Sequence, residues 1–175
     1  MTDELLDLVD ENDNVIGEVL MNQANRDPNL IHRESGVLLF DGRRKLLLQQ
    51  RSFKKTVSPG VWEVTAAGHV TKGLTPIEAA HKELKEEIGF DTELKFIEKH
   101  KVKQSNETHL TYFYLGKYTG QRVITNKDEV EAARLFSQEG FDDLQFSGVP
   151  VGQASANMIR RFWSGEFNHL LEDLL

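Results

Sequence analysis

A chain of 175 residues with 39% hydrophobic and 28% charged side chains is long enough to bury the core of one ordinary domain and too apolar to be disordered. Its formal net charge of -7 makes it a poor general binder of nucleic-acid backbone, where affinity comes from Lys and Arg neutralising phosphates. With no cysteine, disulfides, thiolate metal sites and a cysteine nucleophile are excluded, so any metal must be held by oxygen or imidazole.

The acidic start, Met1 to Asp10, lacks the basic residues and apolar run of a signal peptide. The longest apolar runs, such as Val37 to Phe40, are too short to span a bilayer, so a cytoplasmic location is expected. Leu5 to Asp10 and Asn14 to Leu20 read as short strands around the polar turn Glu11-Asn12-Asp13. Asn22 to Asn29, with Pro28, reads as helix and then loop. Gly36 to Phe40 and Lys45 to Arg51 flank Asp41-Gly42, a hairpin signal. Ser52 to Gly60 is a basic loop closed by Pro59-Gly60, and Val61 to Thr65 a short strand.

The spacing predicts one helix over Thr75 to Ile88. Thr75 is a good N-cap, Pro76 suits the first helical position, Glu78 completes a capping box and Gly89 fits a C-terminal cap. Three strands follow, Glu93 to Gln104, His109 to Tyr118 and Val130 to Phe136. Ser137 opens a short helix through Leu144. The tail from Ala154 to Leu175 carries Ile159, Phe162, Trp163, Phe167, Leu170, Leu171 and Leu174 at helical spacing, broken at Ser164-Gly165. Strands interleaved with a few helices predict an α+β or layered α/β/α fold.

On a helical wheel of about 100° per residue, Glu83, Glu86 and Glu87 share a sector of roughly 100° beside the apolar stripe of Ile77, Ala80, Leu84 and Ile88. Like charges at this spacing repel, and partial burial raises the cost. A divalent cation resolves both problems, since carboxylate oxygens are the ligands that Mg²⁺ and Mn²⁺ prefer. The plain alternative is a solvated acidic edge, with Lys82 and Lys85 pairing the glutamates.

The surrounding residues favour the metal. Gly68 to Phe90, GHVTKGLTPIEAAHKELKEEIGF, resembles the Nudix box GX5EX7REUXEEXGU, where U is bulky and apolar. Gly68, Glu83, Leu84, Glu86, Glu87, Gly89 and Phe90 match in register. Two positions depart: the first glutamate of the box falls on Leu74 and its arginine on Lys82, and Glu78 is the nearest candidate to partner Lys82. The resemblance implies a single Nudix domain over residues 1–175, an α/β/α sandwich with a mixed central sheet, box at 68–90 and helical tail from about 152. It further implies that Glu83, Glu86 and Glu87 hold Mg²⁺ or Mn²⁺. Glu129 resembles the outlying glutamate of some members, with a plain strand-edge charge as the alternative. The expected reaction is hydrolysis of a diphosphate linkage in a nucleoside diphosphate derivative or related small molecule. Glu83 or Glu129 would accept the water proton.

Within the family the chain is similar to the branch containing isopentenyl diphosphate isomerase, through Ile31-His32-Arg33, Gln50-Arg51, the loop ending Pro59-Gly60-Val61-Trp62, and Ala67-Gly68-His69. There the residues matching His32 and His69 help bind a metal, and those matching Arg51 and Lys55 hold the diphosphate. The resemblance therefore implies substrate contacts at Arg51, Lys55 and His69. The isomerase carries an essential cysteine where this chain has Ala67, and proton transfer to an alkene needs a positioned acid that alanine lacks. Hydrolysis is the favoured reading, with an isomerase-like enzyme and a non-catalytic ligand-binding protein as alternatives. The expected partner is a small-molecule diphosphate, not a membrane or a nucleic-acid polymer. Homodimers are common in the family, and the tail's aromatic stripe would serve as core or as that contact.

Overall fold

The computed structural model describes residues 3–172 and residue 174. The chain opens with β1 (Leu5–Val9) and β2 (Val15–Leu20), an antiparallel hairpin, followed by the single turn α1 (Met21–Ala24). Next come β3 (His32–Phe40), β4 (Leu46–Arg51), β5 (Trp62–Glu63), β6 (Ala66–His69) and α2 (Pro76–Glu83), which runs on into a π-helical turn, Leu84–Ile88. β7 (Leu94–Lys103), β8 (Thr108–Lys117) and β9 (Val130–Phe136) complete the strands. α3 (Gln138–Phe146), α4 (Gln153–Trp163) and α5 (Asn168–Leu171) close the chain. The expected tail helix reached Leu175; residues 173 and 175 lie outside the described residues, and the expected break falls between α4 and α5.

Seven strands form a mixed sheet in the order β5-β4-β3-β8-β7, with β6 on β3 and β9 on β4. β3 and β8 run parallel in register from His32↔His109 to Phe40↔Lys117. The β3–β4 hairpin forms as expected, but its turn is longer than a two-residue Asp-Gly turn. The left-handed residue is Arg44, with φ 60°, and the Asp41 carboxylate accepts from the amides of Arg43 at 2.9 Å and Lys45 at 2.8 Å. The two strands pair only at Leu39↔Leu47 and Phe40↔Leu46, and then part. β6 takes the freed edge of β3, from Glu34↔His69 to Val37↔Ala66, while β5 and β9 take β4. Buried Thr65 stands where the strands divide. Its hydroxyl accepts from Leu39 N at 2.8 Å and donates to the Leu47 carbonyl, so both of these backbone groups are paired where the strands part.

Three differences from the sequence expectation matter for the site. The strand expected over Val61 to Thr65 is only two residues long, because Thr65 turns the chain into β6, which carries the opening of the box. The helix expected over Thr75 to Ile88 is α-helical only to Glu83. Its last turn widens, and Gly89 caps it with φ 87° while donating to the Leu84 carbonyl at 3.0 Å. The short helix expected to end at Leu144 runs to Phe146.

Side-chain alternation along the strands builds a core on each face of the sheet. On one face Leu38, Phe40, Leu46, Leu48, Phe113 and Leu115 meet Phe141, Met158, Ile159 and Phe162 of α3 and α4. Each such side chain contributes about 1.5–3 kcal/mol when fully buried. On the other face Val37, Leu39, Leu47, Ala66 and Tyr114 meet Ala80, Leu84 and Ile88. Helices thus cover both faces, the layered α/β/α arrangement expected, and the aromatic stripe of the tail is core. Among the described residues no helix is long and apolar enough to cross a membrane.

Candidate active site

The box helix starts where its sequence dictates. Glu78 N donates to Thr75 Oγ1 at 3.4 Å, and Thr75 N donates back to Glu78 Oε2 at 2.8 Å, the reciprocal capping box. Glu78 is thereby committed to the cap and does not partner Lys82, a pairing the sequence left open. Lys82 Nζ instead lies 3.5 Å from Glu83 Oε1, 3.5 Å from Glu86 Oε2 and 3.7 Å from Glu4 Oε1.

The π-helical turn sorts the three glutamates. Glu83 and Glu87 turn inward over β6, while the Glu86 side chain stays 55% exposed at the outer rim. Glu87 is 5% exposed. Its Oε2 accepts from Gln49 Nε2 at 2.9 Å and from Ala67 N at 3.0 Å. Burial, reinforced by the charge of Glu83, pushes the Glu87 carboxyl up to about 8. Burial likewise raises Glu83 to about 7, against the pull of Lys82. Glu83 presses on the backbone of Gly68, where an added Cβ would stand 2.5 Å from Glu83 Cδ. The glycine that opens the box is there for this close approach. Two neighbouring carboxylates, both held largely out of water, form a donor set that fits a hard divalent cation.

Successive residues of β6 face opposite sides, so His69 lies across the strand from Gly68. There it joins residues of β3 and β8. The His32 ring stacks between His69 at 5.1 Å and His109 at 5.8 Å. His69 Nε2 approaches Asn25 Oδ1 at 3.1 Å and Glu34 Oε1 at 3.6 Å, while Glu34 Oε2 lies 2.6 Å from His109 Nδ1. Burial alone would raise Glu34, but the charge and hydrogen bond of His109 hold it at about 2. Burial and the neighbouring His69 depress His32 to about 4, so its ring is neutral at pH 7. Its Nδ1 lies 3.3 Å from the Leu30 carbonyl and takes the donor role, leaving Nε2 as a buried lone pair with no partner among the described residues. Ligand atoms of His32, Glu34 and His69 all lie within 4.8 Å of one another, a second set that fits a metal.

The basic loop connects β4 to β5. Arg51 Nη1 is 3.5 Å from Glu63 Oε2, and Arg51 Nη2 donates to the Val57 carbonyl at 3.3 Å. Lys55 pairs with Glu129, and Lys54 with Asp128 at 2.7 Å. Ser52 ties the loop to the turn before β9, its amide donating to the Glu129 carbonyl at 2.8 Å and its hydroxyl to the Lys127 carbonyl at 2.9 Å. Two residues expected at the site, Lys55 and Glu129, are therefore brought together. Gln49 links this region to the box, bonded to Glu87 and in register with Glu63 across β4 and β5. Trp62 is core, its ring 5.0 Å from Phe136, edge to face.

Four further residues stand at the site, Glu34, His109, Glu63 and Glu4. Glu34 shares a strand face with His32 at the period of two, and that signal was available. His109 enters through the parallel register of β8, which no local pattern reveals. Glu63 is buried enough that its carboxyl is raised, despite Arg51 beside it.

A family model described as NUDIX domain matches residues 30–154. An isopentenyl-diphosphate Delta-isomerase of Serratia proteamaculans is 41% identical over 92 residues, covering 53% of this chain and 51% of that protein. The chain thus spans about half the length of the first curated relatives it matches. An uncharacterized Nudix hydrolase of Listeria monocytogenes is 29% identical over 81% of this chain and 85% of its own. The crystal structure of DR0079 from Deinococcus radiodurans shares the fold, with a TM-score of 0.76 at 22% identity over 91% of this chain and 99% of that one.

Proposed function

The chain belongs to the NUDIX domain family, and on that premise we propose that it is a cytoplasmic, Mg²⁺- or Mn²⁺-dependent hydrolase that cleaves the diphosphate linkage of a small molecule. The observation that carries this reading is the inward pair Glu83 and Glu87, with Glu87 fixed by Gln49 and by the amide of Ala67. Glu83, Glu87 and the rim residue Glu86 would hold the metal, which when bound neutralises phosphate charge and makes water a better nucleophile. In the reaction the water oxygen bonds to phosphorus, the bridging P–O bond breaks, and the water proton goes to a carboxylate, Glu83 or Glu129. Arg51 and Lys55 supply cationic donors for the substrate oxygens, Lys55 exchanging Glu129 for phosphate, and His69 lines the opposite side of β6.

A second reading has specific support. The isomerase names of the relatives and the His32, Glu34 and His69 group both favour an isomerase-like activity. Against it stands Ala67, a methyl group where that chemistry needs an acid. A hydrolysis screen, with the cleaved products separated by chromatography, decides. Nucleoside diphosphates and triphosphates, nucleotide sugars, dinucleoside polyphosphates and isopentenyl diphosphate are offered with Mg²⁺ or Mn²⁺ and with chelator. Turnover that disappears with chelator and in Glu87→Gln supports the hydrolase. Formation of dimethylallyl diphosphate without phosphate release overturns it in favour of the isomerase.

A further inference from the structure

We propose that Glu4, which precedes the segment matched by the family model, is a positioning residue of the box: it gives Lys82 a third carboxylate where the box position Leu74 offers none, and so shares the Lys82 ammonium with the metal-binding glutamates. The inference rests on the reading that Glu83 and Glu87 hold a divalent cation. Lys82 has three carboxylates within 4 Å, and two of them, Glu83 and Glu86, are candidate ligands on its own helix. Glu4, at 3.7 Å, is the third and comes from outside the box. A lysine left with only Glu83 and Glu86 would compete with the cation for the same oxygens.

Glu4 does not reach Lys82 by chance of a loose terminus. Its Oε1 accepts from the hydroxyl of Thr71 in the box loop, and its carbonyl accepts from Met21 N at 2.8 Å. The next residues clamp that loop along its length. Lys72 N donates to the Leu5 carbonyl at 2.8 Å, Leu6 bridges to Thr71, and Gly73 N donates to Asp7 Oδ2 at 3.3 Å. Lys72 also pairs with Glu18 of β2. Fully buried Leu6, with Val19 and Ala24, gives the hairpin its own small core. Leu74 itself has no charge to offer, and Glu78 is spent on the helix cap. The β1–β2 hairpin is thus a clasp on the box, and Glu4, just before β1, makes a charged contact with Lys82.

The test is Mn²⁺ binding by the full chain, read from the electron paramagnetic resonance of free Mn²⁺, on a double-mutant cycle of Glu4→Gln and Lys82→Met. Glu4→Gln is expected to weaken Mn²⁺ binding about two- to fivefold, the size of a half-exposed ion pair, and to leave the melting temperature nearly unchanged. Lys82→Met is expected to tighten binding, and in that background Glu4→Gln should have no further effect. Thr71→Val keeps every charge and removes only the hydroxyl that fixes Glu4, so a smaller loss in the same direction is expected even if Glu4→Gln folds poorly. Unchanged affinity in both single variants, or an equal Glu4→Gln loss in the Lys82→Met background, overturns the positioning role while leaving the hydrolase reading intact. No Mn²⁺ uptake by the wild-type chain overturns both.

Discussion

Replacing Gly68 with alanine separates the site from the fold. An added Cβ would stand 2.5 Å from Glu83 Cδ and 2.7 Å from each carboxylate oxygen, where ordinary contact begins near 3.4 Å, so the carboxylate must retreat by about 0.9 Å. Gly68 has no left-handed backbone, so alanine brings no conformational strain there. It instead gains about 0.4–1 kcal/mol from the less free unfolded chain. The obstructing group is the end of a flexible side chain, so the cost falls at or below the low end of the roughly 1–3 kcal/mol seen when a rigid core is overpacked. The two nearly cancel, and the melting temperature should move by no more than about 2–4 °C. A displacement near 1 Å at a reacting centre, by contrast, costs on the order of 10²-fold in rate. The assay pairs kcat/KM for Mg²⁺-dependent hydrolysis with thermal melting of the same preparation. Loss of about 10²-fold with an unchanged melt supports the argument. Activity within threefold of wild type refutes it, because Glu83 would then tolerate a displacement incompatible with a metal ligand.

Three further outcomes are expected. Glu87→Gln should remove most metal-dependent turnover yet raise the melting temperature of the chelated protein, since an amide is cheaper to bury than a carboxyl beside Glu83; a lower melt in chelator would show that Glu87 is structural. Leu74→Glu with Lys82→Arg should leave activity equal or higher, and a large loss would show that the box is adapted to Lys82 and Glu4 as they stand. Asp13 accepts from Arg33 Nε at 2.6 Å, from Lys99 Nζ at 2.9 Å and from the Tyr112 hydroxyl. Burial pushes its carboxyl up, but these partners win and hold it below 3.8. A depressed carboxyl stabilises the fold above its ordinary value and loses that contribution as pH falls through the folded one. Asp13→Asn should therefore cost roughly 1.5–3 kcal/mol near neutral pH, with a melting temperature flatter than wild type below pH 4. Parallel curves for the two proteins would refute the assignment.

What the sequence made legible was local, and what it hid depends on register and on one widened turn. Thr75, Pro76, Glu78 and Gly89 mark the box helix because caps act within a few residues of themselves. The tail's stripe was readable as buried because its period matches the helix. The wheel, however, assumed a uniform 100° per residue to Ile88. The π-helical turn breaks that assumption and sends Glu86 to the rim while Glu87 goes inside. Glu34 and His109 meet only because β3 and β8 run parallel in one register, and 74 residues of chain separate them. Lys55 with Glu129 and Glu4 with Lys82 are likewise long-range pairs, each made by a loop pinned to a distant strand.

The buried acids also explain why the family pattern must be read with its surroundings. Glu83, Glu87, Glu63 and Glu34 are all withdrawn from water, and the first three have carboxyls raised by that burial. The fold gains nothing from Glu83, Glu87 and Glu63 by themselves, since desolvating these carboxylates costs more than their neighbouring amide or cation returns. Each is nevertheless held in place: Glu87 by Gln49 and Ala67, Glu63 by Arg51, Glu34 by His109, and Glu83 by Gly68 and Lys82. Restraint of unfavourable charges by backbone, amide and cation partners is what the proposed cation site would require, because a bound metal supplies the missing countercharge only when the donors are already aligned. On this view stability and function oppose each other most directly at Glu87. The two-sided core, with Phe40, Phe141 and Phe162 fully buried against the sheet, supplies the stability that allows it.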